Sequence, residues 1–177
     1  LLTLSHEWEL LVKDRTRELE SFFNSSEHMM GIVELVENDI LHLKDNVKSS
    51  QLFKVNQEKM KNQLASSLGV KKEWIQLWRQ YYQEAERKNQ PVQFQYQHHE
   101  RDRSFWFSAS VAFIGKSKNH RSLFSYIVTD ITSDKKKEQE IKSSQELFSI
   151  VLDHLPVALF CKDGSDHFKF VMWNKKS

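Results

Sequence analysis

The sequence predicts an α+β fold: a five-stranded antiparallel sheet with its helices gathered on one face and a further helix at either end. Three observations lead there. Two short β-like runs come first, a block with helical periodicity over residues 50–89 follows, and three more strands close the domain. The later strands alternate apolar and polar residues, the mark of a sheet with one wet face. The connections between strands are short and carry charges or turn formers, as antiparallel neighbours require.

Residues 1–23 read as one helix. Leu1, Leu4, Trp8 and Leu11 follow the alternating three-and-four spacing of a coiled-coil seam, which points to pairing with a second chain. Continued, that frame reaches Arg15, Glu18 and Phe22, so the seam turns polar past Lys13. An amphipathic helix lying on its own domain fits the same pattern. Asn24-Ser25-Ser26 stops the helix. Residues 30–36 and 39–43 are the first strands, joined through Glu37-Asn38 as a tight turn, and Lys44-Asp45-Asn46 closes the second. Leu52 and Phe53 mark one short helical segment, Met60 and Leu64 another, and Leu68-Gly69-Val70 a break. Trp74, Leu77, Trp78 and Tyr81 then recur at helical spacing, predicting a longer helix buried on that face and ended by Gln90-Pro91.

Val92, Phe94 and Tyr96 alternate with Gln93, Gln95 and Gln97, and Phe105, Phe107, Ala109, Val111 and Phe113 alternate with polar or outward residues in the same way. Residues 123–131 form a more uniformly apolar strand. Glu100-Arg101-Asp102-Arg103 and the run from Gly115 to Asn119 are the turns. Thr132-Ser133-Asp134 caps a helix whose first turns, Lys135-Lys136-Lys137-Glu138-Gln139-Glu140, have no apolar face and read as a solvated connector. Apolar periodicity returns at Ile141, Leu147, Phe148, Val151, Leu152 and Leu155 until Pro156. Two apolar runs, 157–160 and 168–173, then flank a turn over 162–166.

Composition bounds the function. The 177 residues suit one domain with extensions, and 12% aromatic content excludes a disordered chain. With 4 Gly and 2 Pro, collagen-like and glycine-looped phosphate-binding architectures are excluded. A single Cys excludes a disulfide framework and a cysteine zinc site, and fits a reducing, cytoplasmic setting. Net charge of +2 is too even to argue for nucleic acid or an anionic membrane. No apolar run approaches the roughly 20 residues that span a bilayer, and Leu1 in place of Met points to a piece of a longer protein, which could itself be membrane-attached.

The stretch Tyr126-Ile127-Val128-Thr129-Asp130-Ile131-Thr132-Ser133-Asp134 resembles the aspartate-isoleucine-threonine signature that closes the last strand of PAS sensor domains, the PAC-type motif, and opens a polar exit helix. Trp78, Tyr81, Tyr82 and Ala85 followed by Asn89-Gln90-Pro91-Val92-Gln93-Phe94 are similar to that family's last helix and third strand, and residues 105–111 to its fourth. The resemblance covers residues 21–133 and implies the PAS fold. Residues 152–163, followed by Phe170-Val171-Met172-Trp173-Asn174, look like the opening of a second PAS domain. The implied organisation is a helix over 1–23, a PAS domain over 24–133, a connector over 134–155 and the start of another domain over 156–177. A lone hairpin is marginal in water, so Phe160, Phe168, Phe170 and Trp173 are expected to be covered by another molecule or by the first sheet.

Tandem PAS domains joined by charged helices resemble the input half of bacterial signalling proteins, most often two-component sensor histidine kinases, with cyclic-dinucleotide enzymes sharing the layout. The resemblance therefore implies a sensory or relay module that forms a homodimer through its flanking helices and hands a conformational change to neighbouring PAS and kinase domains. Asp130, Ile131 and Thr132 are its signal-coupling candidates, with a local helix cap as the alternative role. A second possibility is a sensor for a small metabolite, bound among Trp74, Leu77, Trp78, Phe94, Tyr96, Phe107 and Phe113, although aromatics at such spacing also make an ordinary core.

Other chemistry is disfavoured. Ser5-His6-Glu7 matches the start of a kinase phospho-acceptor box, but continues Trp8-Glu9-Leu10-Leu11 without the expected proline, leaving His6 a solvent-facing helix residue. His98 and His99 are adjacent on a strand and point to opposite faces, so no metal site is predicted. Residues 50–89 hold neither the Cys of flavin-adduct members nor the axial His of haem-binding ones, so no cofactor is predicted. Cys161 is read as a small strand residue. Lys135-Lys136-Lys137 lacks interleaved aromatics, which argues against nucleic acid. No nucleophile–base pair, phosphate loop or metal set is present, so the residues predict no enzyme.

Overall fold

The computed structural model describes residues 2–100 and 103–174. Leu1 of the predicted seam and Arg101 and Asp102 of the predicted turn lie outside the described residues, as do the side chains of Leu4 and His6. Two compact units divide between Ile131 and Thr132.

The first unit runs α1 (Leu2–Ser25), β1 (Met29–Val36), β2 (Asp39–Asp45), α2 (Val47–Leu52), α3 (Gln57–Met60), α4 (Lys72–Lys88), β3 (Val92–Glu100), β4 (Arg103–Lys116) and β5 (Ser122–Asp130). Its strands form the predicted five-stranded antiparallel sheet in the order β2-β1-β5-β4-β3. The hairpin β1–β2 and the meander β3–β4–β5 are each local; the long-range step is β1 against β5, with Gly31 opposite Tyr126 and Val33 opposite Phe124. Helices α2, α3 and α4 cover one face. Asparagine side chains start α2 and α3: Asn46 Oδ1 accepts from Ser49 N, and Asn56 from Glu58 N. Asn89 ends α4 in the left-handed region at φ 49°.

Two local expectations differ from the structure. Leu64 is not helical: it bridges Leu41, and Ala65 N donates to Ile40 O, so the segment after α3 runs along β2 and satisfies its open edge. On α4 the buried stripe is Ile75, Tyr82 and Ala85, with Trp78 and Tyr81 partly buried beside it. Tyr82 goes under with the branched Ile75 and the small Ala85, while Trp78 and Tyr81 keep an edge in water; Tyr81 stacks on Phe94 with ring centroids 3.8 Å apart. Phe124, at 0% exposure, sits at the middle of the core with Val33, Ile40 and Val111 around it.

The second unit is α5 (Thr132–His154) and a two-stranded antiparallel sheet of β6 (Phe160–Asp163) and β7 (Lys169–Trp173). The apolar run 157–160 enters the strand only at Phe160, because Leu159 is held by Asn174 instead. Phe160 meets Phe170 edge to face at 5.7 Å, and Lys162 Nζ sits 4.4 Å from the Phe170 ring centre. Phe168 and Trp173 are exposed at 67% and 65%. No helix among the described residues is long and apolar enough to cross a membrane.

Candidate functional site

One row of residues crosses the helix-covered face of the sheet: Asp45, Gly31, Tyr126, Val111 and Val92 stand side by side on β2, β1, β5, β4 and β3. Gly31 leaves a gap in that row. Through it the Tyr126 phenol reaches over β1 and donates to Asp45 Oδ1 at 2.5 Å. A Cβ on Gly31 would stand 2.5 Å from the Tyr126 ring and 2.6 Å from Asp45 Oδ1. His42 Nδ1 donates to the same carboxylate oxygen at 2.9 Å, and both side chains are buried. Ser49 Oγ, on α2, lies 3.0 Å from Tyr126 Oη and 3.1 Å from Asn46 Oδ1. Asp45, His42, Ser49 and Tyr126 thus form one buried polar cluster between sheet and helices.

Burial, and after it the charge of Asp45, pushes the Tyr126 phenol well above its ordinary range. Tyr82 is raised by burial first, then by Tyr96 and Asp45, and Tyr96 is raised by burial. All three phenols are therefore held neutral, and that of Tyr126 donates to Asp45.

A cavity of about 50 Å³ adjoins the cluster. His42, Ser49, Tyr82 and Tyr126 make its polar corner, and Met29, Val33, Ile40, Phe94 and Val128 are among its apolar walls. At roughly 10–15 Å³ for each water it has room for a few, against the ~300–1,000 Å³ of ordinary small-molecule sites. Two buried polar atoms among the described residues have no hydrogen-bond partner, Asp45 Oδ2 in the cluster and Nε1 of Trp78 in the cavity wall.

Of the pocket candidates, Trp78, Phe94 and Tyr96 line this cavity and Trp74, Leu77, Phe107 and Phe113 do not. Trp74 packs over Tyr96 and His98, at 5.4 and 5.9 Å between ring centres. Leu77 lies about 100° round the helix from Trp78. Phe107 is buried against Tyr96 and Phe105, and Phe113, partly buried, packs against Phe124. Asp130 ends β5 opposite Phe107, Ile131 N donates to Trp106 O at 2.8 Å, and Thr132 begins α5. Sequence reasoning missed His42, Asp45, Ser49 and Tyr126. The alternation Phe124, Tyr126, Val128 could have placed Tyr126 inward, but nothing local joins it to a carboxylate on β2.

A second arrangement recurs in both units. Asn46 Oδ1 accepts from Met30 N, its Nδ2 donates to His28 O and Phe23 O, and its own N donates to Met30 O. Asn174 makes the same four bonds, to Leu159 N, Val157 O, Leu152 O and Leu159 O. The side-chain partners precede Asn46 by 16, 18 and 23 residues and Asn174 by 15, 17 and 22. Each asparagine follows a hairpin and ties it to the end of the preceding helix.

No family model matches the chain, and no curated protein does. Among solved structures, the PAS domain of Bordetella pertussis BvgS is 11% identical, covers 75% of this chain and 98% of its own, and superposes with a TM-score of 0.51. An RNA-binding Light-Oxygen-Voltage receptor is 11% identical over 78% of this chain and 39% of its own, with a TM-score of 0.52. The PAS domain of an HTR-like protein from Haloarcula marismortui is 14% identical over 71% of this chain and 99% of its own, at 0.49. At such identities the likeness is one of fold.

Proposed function

We propose that this chain, whose fold is that of PAS domains, is a sensory and signal-relay module of a bacterial two-component sensor histidine kinase working in the cytoplasm. Two chains pair through their flanking helices, and a change in the core alters how those helices pack, which an output domain further along the chain reads. The observation that carries this reading is the surface of α1, where Trp8, Leu11, Leu19 and Phe22 are 65, 50, 68 and 72% exposed. Apolar side chains of that size at helical spacing are a surface for another helix. Helix α5 repeats the pattern with Ile141, Leu147, Phe148 and Val151. On the exit side Asp130, Ile131 and Thr132 are the proposed coupling residues. The repeated asparagine bonding supports reading residues 156–177 as the opening of a second PAS domain.

Native mass spectrometry of the whole chain tests the pairing. A dimer at low micromolar concentration, lost in the double variant Trp8→Glu/Leu11→Glu, is expected; a wild-type monomer refutes the reading. The orphaned Trp78 Nε1 in the cavity wall favours a second reading, a sensor for a very small ligand with a hydrogen-bond acceptor. Its signature in the same experiment is excess mass that denaturation removes. The small cavity supports relay over ligand sensing, and over a resident flavin or haem.

A further inference from the structure

We infer that Asn46 is a positioning residue that ties the state of the core cavity to the end of helix α1, an inference that rests on the relay reading above. Its amide is fully engaged: Oδ1 accepts from Met30 N (3.1 Å), Ser49 N (3.0 Å) and Ser49 Oγ (3.1 Å), and Nδ2 donates to Phe23 O (3.0 Å) and His28 O (2.8 Å). An asparagine side chain has no further capacity to give or take, and this one is fully buried. One edge of the planar amide therefore starts α2, and the other holds one of the carbonyls that every helix end leaves without an internal partner.

The two edges cannot move independently. Helix α2 carries Ser49, whose hydroxyl faces the Tyr126 phenol in the cavity wall. Anything that draws Ser49 away from Tyr126, an occupant of the cavity or a shift of β5, turns α2 about its first residue. The Asn46 oxygen must follow Ser49 N, and the amide nitrogen then leaves Phe23 O. Asn24 makes a second attachment in the same place, its Oδ1 accepting from Val47 N and from Gln57 Nε2, so the end of α1 is clamped to the start of α2. The chain builds this joint twice, since Asn174 grips Leu152 O near the end of α5 in the same way.

Hydrogen–deuterium exchange on the whole chain tests the coupling. Tyr126→Phe keeps the ring and removes the hydroxyl that meets Ser49; exchange over residues 19–28 is expected to quicken about tenfold, the scale of one or two lost hydrogen bonds. Asn46→Asp keeps the accepting oxygen and the start of α2 but removes both donors, and is expected to quicken the same amides about tenfold while α4 stays protected. In the double variant Tyr126→Phe adds nothing further at 19–28. Unchanged exchange there in Tyr126→Phe, or full additivity of the two changes, overturns the inference. If Asn46→Asp does not fold, Asn174→Asp tests the joint, with residues 150–158 expected to exchange about tenfold faster and no change overturning it. Coupling in a chain that stays monomeric would sink the relay reading alone; a dimer without coupling would sink this inference alone.

Discussion

Gly31→Ala separates two opposed effects at one position. Considered as a strand residue, alanine should stabilise, because glycine in an element interior costs roughly 0.5–1 kcal/mol relative to it. The surroundings dictate the reverse. The new Cβ would stand 2.5 and 2.7 Å from two Tyr126 ring carbons and 2.6 Å from Asp45 Oδ1. Relieving those contacts needs the ring to retreat by about 1 Å, the shortfall from ordinary packing distance. Neither neighbour is free to give way, for Tyr126 is 8% exposed and hydrogen-bonded to Asp45, itself 6% exposed. Overpacking of this kind costs ~1–3 kcal/mol, and a phenol or carboxylate left without its partner adds ~1–3. Less the gain from removing glycine, the expected result is destabilisation by about 1–5 kcal/mol, read as a lower urea midpoint with an unchanged slope. In a double-mutant cycle Tyr126→Leu should shrink that cost by more than ~1 kcal/mol, since contacting residues couple. A Gly31→Ala protein as stable as wild type, or more so, refutes the argument that the gap at residue 31 admits the Tyr126–Asp45 bond.

Alkaline titration and a helix end provide two more checks. Tyr82, Tyr96 and Tyr126 all titrate higher in the folded protein than their ordinary value of 10.0. The unfolded chain therefore loses these protons first; their stabilisation is complete below pH 10 and falls as pH rises above it, by up to about 1.4 kcal/mol per pH unit for each tyrosine. Urea midpoints from pH 9 to 11.5 should show that fall, with a shallower one in Tyr96→Phe, and equal slopes would contradict it. Asn89 ends α4 at φ 49°, ψ 39°, so Asn89→Ala should cost ~1 kcal/mol and Asn89→Gly at most a few tenths. Equal melting temperatures for all three proteins would remove that account of the helix end.

Read alone, the residues settle what depends on neighbours a few positions apart. The glutamine alternation of β3, the inward set of β4 from Phe105 to Phe113 and the Glu37-Asn38 turn are local periodicities, and the sheet follows from their order because antiparallel strands pair across short connections. Four of the seven pocket candidates lie outside the lining of the cavity for the complementary reason. Periodicity tells that Trp74, Leu77, Phe107 and Phe113 belong to elements with an apolar face; it does not tell which part of the face lies over a gap, since that depends on what the opposite layer brings. The polar cluster belongs wholly to the tertiary structure. Tyr126 and Asp45 are 81 residues apart and meet because β1 lies between their strands and has glycine at the crossing point. No window of sequence contains all three, and the pairing of β1 with β5 alone brings them within a hydrogen bond.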